Sequence, residues 1–330
     1  LCTTNLPTPT IADGSTAFDV VLYTSSSGSG RTRTISGLNF SPDLVWSKRR
    51  SAAGRHVITD IVRGVNKEIF PNLTSAERTS TDGLTAFTSD GYSSGPDNGA
   101  FGWSSDSATF VNWAWDAGSS TVSNTDGSIT SSVRANQTAG FSICTYTGST
   151  GNQSFGHGLN TAPKFIAIKN RSSSANWFVM FDIGETYYKY GHFNTTDALA
   201  NATAQPVSNT TVTLGNNNAW FGANGDNYVA YCMSPVAGYS AVGSYTGNGS
   251  SDGPFVHTGF KVAFILIKRS NSGSAWVIVD NKRDGYNETY KWLEPNTNNA
   301  EQSVTPVANV DFLSNGFKLR GNGATTNASG

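Results

Sequence analysis

The amino-acid sequence predicts an all-β fold, made of tandem antiparallel β-sandwich domains of about 100 residues, lectin-like or jelly-roll-like. Three observations predict it. Short β-branched and aromatic runs lie between Gly, Asn, Asp and Ser clusters, the pattern of strands joined by turns. Helical periodicity is nearly absent, with residues 74–78 the one stretch expected to form a helical turn. The chain can also be laid over itself three times, the signature of repeated structural units.

Residues 1–17, with Pro7 and Pro9, read as a linker or the tail of an upstream domain. Three segments of one plan follow, at 18–118, 140–238 and 239–330. Each opens on a strand, at 20–24, 142–148 and 242–247, followed by a Gly-rich hairpin tip. A strongly apolar strand comes next and ends in Lys48, Lys169 or Lys268. Its apolar residues are consecutive rather than alternating, so cover on both faces is expected. A Ser-rich turn leads to a strand ending in Asp60, Asp182 or Asp280. A later turn carries an aromatic, in Asp90-Gly91-Tyr92, Asn218-Ala219-Trp220 and Asn315-Gly316-Phe317. Ala219 in place of glycine predicts a different turn in the second segment. The Asp-Gly and Asn-Gly dipeptides in general suit the positive φ of tight hairpins.

The first two segments close on strands at 110–115 and 228–233. The third reaches Gly330 just before its closing strand is due. Either the chain is cut there or that strand comes from elsewhere, and a sheet without it exposes an edge. Residues 119–139 read as a linker with one strand at most. The chain starts with Leu1 and has no signal-like start, so residue 1 is not expected to be the biological beginning.

Composition narrows the function. Charged residues make up 14% of the chain, against roughly 25% in an average globular protein. Lys and Arg number 22 against 23 Asp and Glu, which argues against nucleic-acid binding. The longest apolar run, 262–267, falls well short of the about 20 residues of a membrane helix. The three cysteines, Cys2, Cys144 and Cys232, are too few for a disulfide framework. Cys144 and Cys232 are expected as buried free thiols, with a bridge between them as the other reading. Neither CxxC nor HExxH spacing occurs, so no metal and no cofactor is expected.

The repeated Lys and Asp invite a catalytic reading. Hairpin pairing places Lys48 opposite about Val57, with Asp60 at the far end, so the two form no cross-strand pair. Recurrence in all three segments favours a structural role. His56, His157, His192 and His257 sit at unrelated places, and His157 reads as a turn cap. A glycosidase needs two convergent carboxylates; Asp182 with Glu185 and Asp284 with Glu288 are the local pairs. Aromatics carry a stronger signal. Tyr188, Tyr190, His192, Tyr290 and Trp292 are the candidate glycan contacts, because tyrosine and tryptophan beside Asn and Asp can stack on and hydrogen-bond a sugar. Phe70, Phe193 and Leu293 are expected to point inward and Ile69, His192 and Trp292 outward, leaving Trp292 as the most exposed aromatic. A contact between domains or subunits fits the same residues.

The residues also resemble a known group. Tyr146-Thr147-Gly148, His157-Gly158-Leu159, Pro163, Ile166, Lys169, Trp177 and Asp182 look like a tandem domain of tail-fibre and other appendage proteins of marine bacteriophages, notably phages of cyanobacteria. The first segment matches through Gly37-Leu38, Pro42, Trp46 and Lys48, and the third through Tyr245-Thr246-Gly247, Lys268-Arg269-Ser270 and Trp276. The third departs at Val262, where proline is expected, and at Val256-His257-Thr258, which disturbs the His-Gly-Leu pattern. Residues 5–10 resemble the stretch that follows a lectin-like sandwich in such proteins. The resemblance implies a non-enzymatic virion protein, often trimeric, with fibre, adhesin or decoration duties. The expected partners are other virion proteins, copies of itself and a host-surface glycan. The rival expectations are a purely structural capsid- or tail-decorating protein and a secreted polysaccharide-acting enzyme.

Overall fold

The structure, a computed structural model, describes residues 8–25, 32–95, 107–203, 205–216, 218–304 and 307–330. Cys2 and the first seven residues lie outside these. The first segment supplies β1 (Phe18–Thr24), β2 (Arg33–Ser36), β3 (Leu44–Arg49), β4 (His56–Asp60), β5 (Lys67–Glu68), β6 (Arg78–Thr79), β7 (Leu84–Thr88), β8 (Gly91–Ser94) and β9 (Thr109–Trp115). Next come β10 (Thr121–Asn124), β11 (Ser131–Asn136), β12 (Phe141–Thr147), β13 (Asn152–Gly156), β14 (Phe165–Asn170), β15 (Phe178–Phe181), β16 (Tyr188–Gly191), β17 (Ala200–Ala202), β18 (Thr211–Asn216) and β19 (Asn227–Met233). The third segment supplies β20 (Phe255–His257), β21 (Phe264–Lys268), β22 (Trp276–Asp280), β23 (Val310–Leu313), β24 (Gly316–Leu319) and one helical turn, α1 (Ala324–Asn327). The fold is all-β and its sheets are antiparallel.

Each segment forms two layers. In the first, the sheet β1-β9-β3-β4 packs against β2-β8-β7, with Val45, Val57, Phe70 and Tyr92 between them. In the second, the sheet β10-β11-β12-β19-β14-β15-β16-β17 packs against β13-β18 over Phe155, Ile166, Phe178 and Leu214. In the third, β21-β22 packs against β20-β24-β23 over Ile265, Val277, Val310 and Phe317.

The other faces of the main sheets meet in one further core. It contains Trp46 and Trp113 from the first segment, Trp177 and Tyr231 from the second, and Trp276 and Leu293 from the third. This explains why β3 is apolar on successive residues. Leu44 and Trp46 point into the common core while Val45 fills its own sandwich. The segments are not beads on a string; they share an interior.

A ring of hydrogen bonds closes the boundaries around that core. Trp177 Nε1 donates to the Phe70 carbonyl at 2.9 Å, Trp276 Nε1 to the His192 carbonyl at 2.9 Å, and His56 Nε2 lies 2.9 Å from the Glu294 carbonyl. Each bond runs from one segment to another, and the three together return to the start. Trp46 Nε1 donates to His56 Nδ1 at 3.0 Å, so Nε2 carries the imidazole proton and donates to Glu294. Two residues before each ring, a backbone amide crosses the same boundary: Gly54 to Asn298 O at 2.7 Å, Ala175 to Thr74 O at 2.9 Å, and Ser274 to Thr196 O at 2.7 Å. Bonds in the opposite sense join Glu77 N to Arg171 O at 3.0 Å, Leu199 N to Ser270 O at 2.9 Å and Glu301 N to Arg50 O at 2.9 Å.

Several expectations are corrected. Residues 119–139 are no loose linker, because β10 and β11 join the largest sheet, Val133 pairing with Cys144. Residues 74–78 form no helical turn; Glu77 N is spent on Arg171 and Arg78 enters β6. Residues 8–17 run along the body of the molecule, with Thr10 N donating to Ala237 O at 3.0 Å and Asn39 Nδ2 to Ser15 Oγ at 3.0 Å. The turn glycines mostly serve close approach rather than positive φ. A Cβ on Gly91 would sit 1.8 Å from Ile35 O, and one on Gly127 2.3 Å from Ser154 O. Ala219 is not the counterpart of Gly91 and Gly316: β18 pairs with β13 as β8 pairs with β2 and β24 with β20, and Thr211, opposite Gly156, holds their place. Cys144 and Cys232 are buried free thiols.

Trp276→Phe keeps the ring but leaves the buried His192 carbonyl without its donor. A loss of about 1–3 kcal/mol is expected in urea unfolding. Because the core is shared, the whole chain should still unfold in one transition by both fluorescence and far-UV dichroism.

Candidate functional site

The repeated lysines sit at the segment boundaries. Lys48 pairs with His56 and Lys268 with Trp276, one residue away from the expected register; the β14–β15 register carried one step further places Trp177 opposite Lys169. Lys169 Nζ donates at 3.0 Å to each of Thr74 O, Asn170 O and Ala175 O. Lys268 Nζ donates to Thr196 O at 3.1 Å and Ser274 O at 2.8 Å. Lys48 Nζ donates to Arg49 O at 2.7 Å. Burial pushes all three ammonium groups down to about 8. Lys169 and Lys268 bridge their own turn to the neighbouring segment's backbone, which is a fastening role.

The aspartates divide differently. Asp60 lies opposite Leu44 and Asp280 opposite Phe264, whereas Phe181, not Asp182, lies opposite Phe165. The sequence alignment is one residue out in the second segment. Asp60 and Asp280 are buried, and each is paired with the arginine three residues on, Arg63 or Arg283. Those arginines also reach Glu77 and Glu301. Glu77 in turn holds Arg171 of the second segment at 2.8 and 3.0 Å, and Glu301 holds Arg50 of the first at 2.8 and 2.9 Å. Tyr231 OH donates to Asp60 at 2.7 Å and Trp113 Nε1 to Asp280 at 3.1 Å, again across boundaries. Burial works against the charge of Glu77, but Arg171 and Arg63 outweigh it and hold its carboxyl below the usual range. At the second-to-third boundary every member of the network is replaced at once. Phe181 stands for the aspartate, Gly184 for the arginine, Leu199 for the glutamate and Ser270 for the partner arginine. That boundary is apolar.

The candidate glycan contacts scatter. Trp292 is 8% exposed and sits in the third segment's core, which overturns its expected outward position. It does so because the neighbouring Leu293 faces the common core, so period two turns Trp292 into the segment's own sandwich. His192 is buried, its Nδ1 2.5 Å from Trp177 O and its ring edge-on to Trp220. Tyr190 leans on Phe178, and Tyr188 packs beside the second core with its hydroxyl donating to Pro163 O at 2.9 Å. Of the five, Tyr290 is exposed, at 40%. The carboxylate pairs do not converge on a cleft. Asp182 binds Lys164, Glu185 binds Lys189, Asp284 accepts from the Tyr290 and Lys291 amides, and Glu288 accepts from Asn309. His157 Nδ1 accepts from the Leu159 amide at 3.2 Å and caps its turn. Among the described residues, no three of His, Cys, Asp and Glu gather as metal ligands would.

Two exposed tyrosines were missed as candidates. Tyr187 is 47% and Tyr286 89% exposed. Each lies six residues after the corresponding strand-end residue, Phe181 or Asp280, so both occupy the same place in their segments. Alignment on the Lys strand rather than on Asp182 would have found them. Tyr187 borders a shallow recess of about 410 Å³ with Gly184, Glu185, Thr186 and Asn201. Lys189 Nζ bridges Glu185 and Asn201 there, at 2.8 Å to each. The recess thus offers a ring face beside a carboxylate, an amide and an ammonium, the groups that bind a polyhydroxylated ligand.

These features define a chain of three packed β segments with solvent-facing tyrosine loops. It belongs to the family described as Domain of unknown function (DUF7483), which matches residues 13–330 and so spans all three segments. No curated protein and no solved structure matches the chain.

Two predictions follow from the boundaries. Glu77→Ala leaves Arg63 buried with one carboxylate fewer and should cost about 3–5 kcal/mol in chemical unfolding; Asp182→Ala, which breaks a partly exposed pair, should cost under about 1 kcal/mol. Burial depresses His56 well below 6.5, so the unfolded chain takes up its proton first. The stability that neutral His56 contributes is therefore full above pH 6.5 and is lost as the pH falls through the folded-state value. Melting temperatures between pH 8 and pH 5 should drop less steeply in His56→Gln than in the unmodified chain.

Proposed function

We propose that the chain is a non-catalytic module of a phage virion appendage, tail-fibre or adhesin-like, that contacts a host-surface glycan through its tyrosine loops. The observation that carries this reading is the pair Tyr187 and Tyr286, solvent-facing at the same loop position of two segments. The resemblance of the boundary and turn motifs to marine phage appendage proteins supplies the setting. A shared core supports it physically, because loops anchored on a rigid interior present their side chains without a large ordering cost on binding. The weakly charged, Asn- and Ser-rich composition suits contacts to neutral hydroxyl groups. Two modest sites on one chain, multiplied in a homotrimer and on a particle, give avidity without any strong single site.

Each aromatic contact is worth about 0.5–1.5 kcal/mol. Removing both, as Tyr187→Ala with Tyr286→Ala, should weaken adsorption to host cells or to an arrayed surface glycan by roughly tenfold or more. Melting temperature should be unchanged, since both rings are exposed. Adsorption equal to that of the unmodified chain would defeat the proposal.

A further inference from the structure

The third segment has a gap where the other two have a strand. β9 lies between β1 and β3, and β19 lies between β12 and β14. β21, the counterpart of β3 and β14, pairs with β22 alone among the described residues. Residues 242–247, the counterpart of β1 and β12, run beside it without joining a sheet. Between them is a cleft of about 690 Å³ whose lining includes Val242, Phe264, Leu266, Phe181, Leu199 and Tyr231.

The backbone facing this cleft is ready to pair. Ile278 exchanges both of its hydrogen bonds with Leu293, so its neighbours Val277 and Val279 bond to Ile267 and Ile265 of β21. By alternation, the N–H and C=O groups of Phe264, Leu266 and Lys268 turn toward the cleft. The chain is also aimed into it. Gly330 N donates to Gly247 O at 3.3 Å, as Gly225 N donates to Gly148 O at 2.9 Å in the second segment. β19 begins two residues after Gly225.

We propose that the cleft takes a seven-residue strand joined to Gly330 through one residue, antiparallel to β21, with bulky apolar side chains at its third, fifth and seventh positions. The filled segments set the register. Their third, fifth and seventh residues are Val111, Trp113 and Trp115, or Val229, Tyr231 and Met233, and all face the common core. In the cleft these positions fall opposite Lys268, Leu266 and Phe264. The fifth residue is the informative one. Trp113 and Tyr231 use it to donate to Asp280 and Asp60 across a boundary. The corresponding acceptor for the third segment is Phe181, which lines the cleft and accepts nothing. The fifth residue is therefore apolar and needs no donor. A tethered source is favoured over a separate molecule because entry through Gly330 adds no loop to close and a free strand must lose its own translational freedom.

The test appends a second copy of residues 226–233, with Phe in place of Tyr231 in that copy, directly after Gly330. Amide exchange at Phe264, Leu266 and Lys268 should slow by ~10-fold or more, and the melting temperature should rise by about 4 °C or more. The same appendage with its third, fifth and seventh residues changed to Ser should do neither. Equal protection by the Ser version, or no protection with the apolar one, would overturn the proposal. Protection of these amides in the 330-residue chain together with dimerisation would overturn the tethered source in favour of a second molecule. Should the appended chain fail to fold, the free octapeptide titrated onto the 330-residue chain reads the same three amides; protection at millimolar peptide supports the cleft's role, and none rejects it.

Discussion

Three backbone carbonyls, on Phe70, His192 and Glu294, fix how this molecule is assembled. Each belongs to one segment, is buried at a boundary, and is satisfied by a ring N–H from another. An unmet buried carbonyl is costly, so no segment can move away without leaving one exposed to an apolar surround. The same rings fill the common core, so packing and hydrogen bonding make one demand. His56 meets it with an imidazole where the other two boundaries use an indole, so at the first-to-third boundary the ring itself can take up a proton. The lysines that fasten the turns and the paired amides beside each ring reinforce a contact the rings already require.

Much of this was legible in the residues. The all-β class followed from composition and turn spacing, and consecutive apolar residues in 44–46 signalled a strand covered twice. The glycine-to-alanine change at 219 was a misalignment, because Thr211 of β18 holds the place of Gly91 and Gly316 in the second segment. Other features could not be read. The covering partner of those strands is another segment, and nothing local in Trp177 or Trp276 says that its N–H ends on a neighbour's backbone. Asp182 sits one position past the buried site because β15 is offset in register, and a visual alignment on Asp conceals that. The same one-residue offset hid the shared position of Tyr187 and Tyr286. Trp292 alternates with Leu293 as expected, but both faces of that stretch are covered, so neither points to solvent.

The shared interior also bears on the proposed glycan contact. The tyrosine loops leave the main sheets at strand ends whose positions are set by the common core, so their relative placement is inherited from packing rather than from a flexible connection. The recess at Tyr187 is shallow and polar, in keeping with a ligand that keeps much of its water. Its charged groups are already partnered with one another, so they can orient hydroxyl groups without a strong net field.

The unequal boundaries have a consequence for how the chain finds its arrangement. Three similar segments in one polypeptide could in principle associate in the wrong order, or exchange with those of another molecule during synthesis. Two boundaries are matched by buried Asp, Arg and Glu groups, and the third by Phe181, Leu199 and Ser270. A misplaced segment would bury an arginine against leucine or a carboxylate against phenylalanine, a mismatch of several kcal/mol. The charges thus work as a code for neighbour identity, rejecting incorrect pairings more strongly than they reward the correct one.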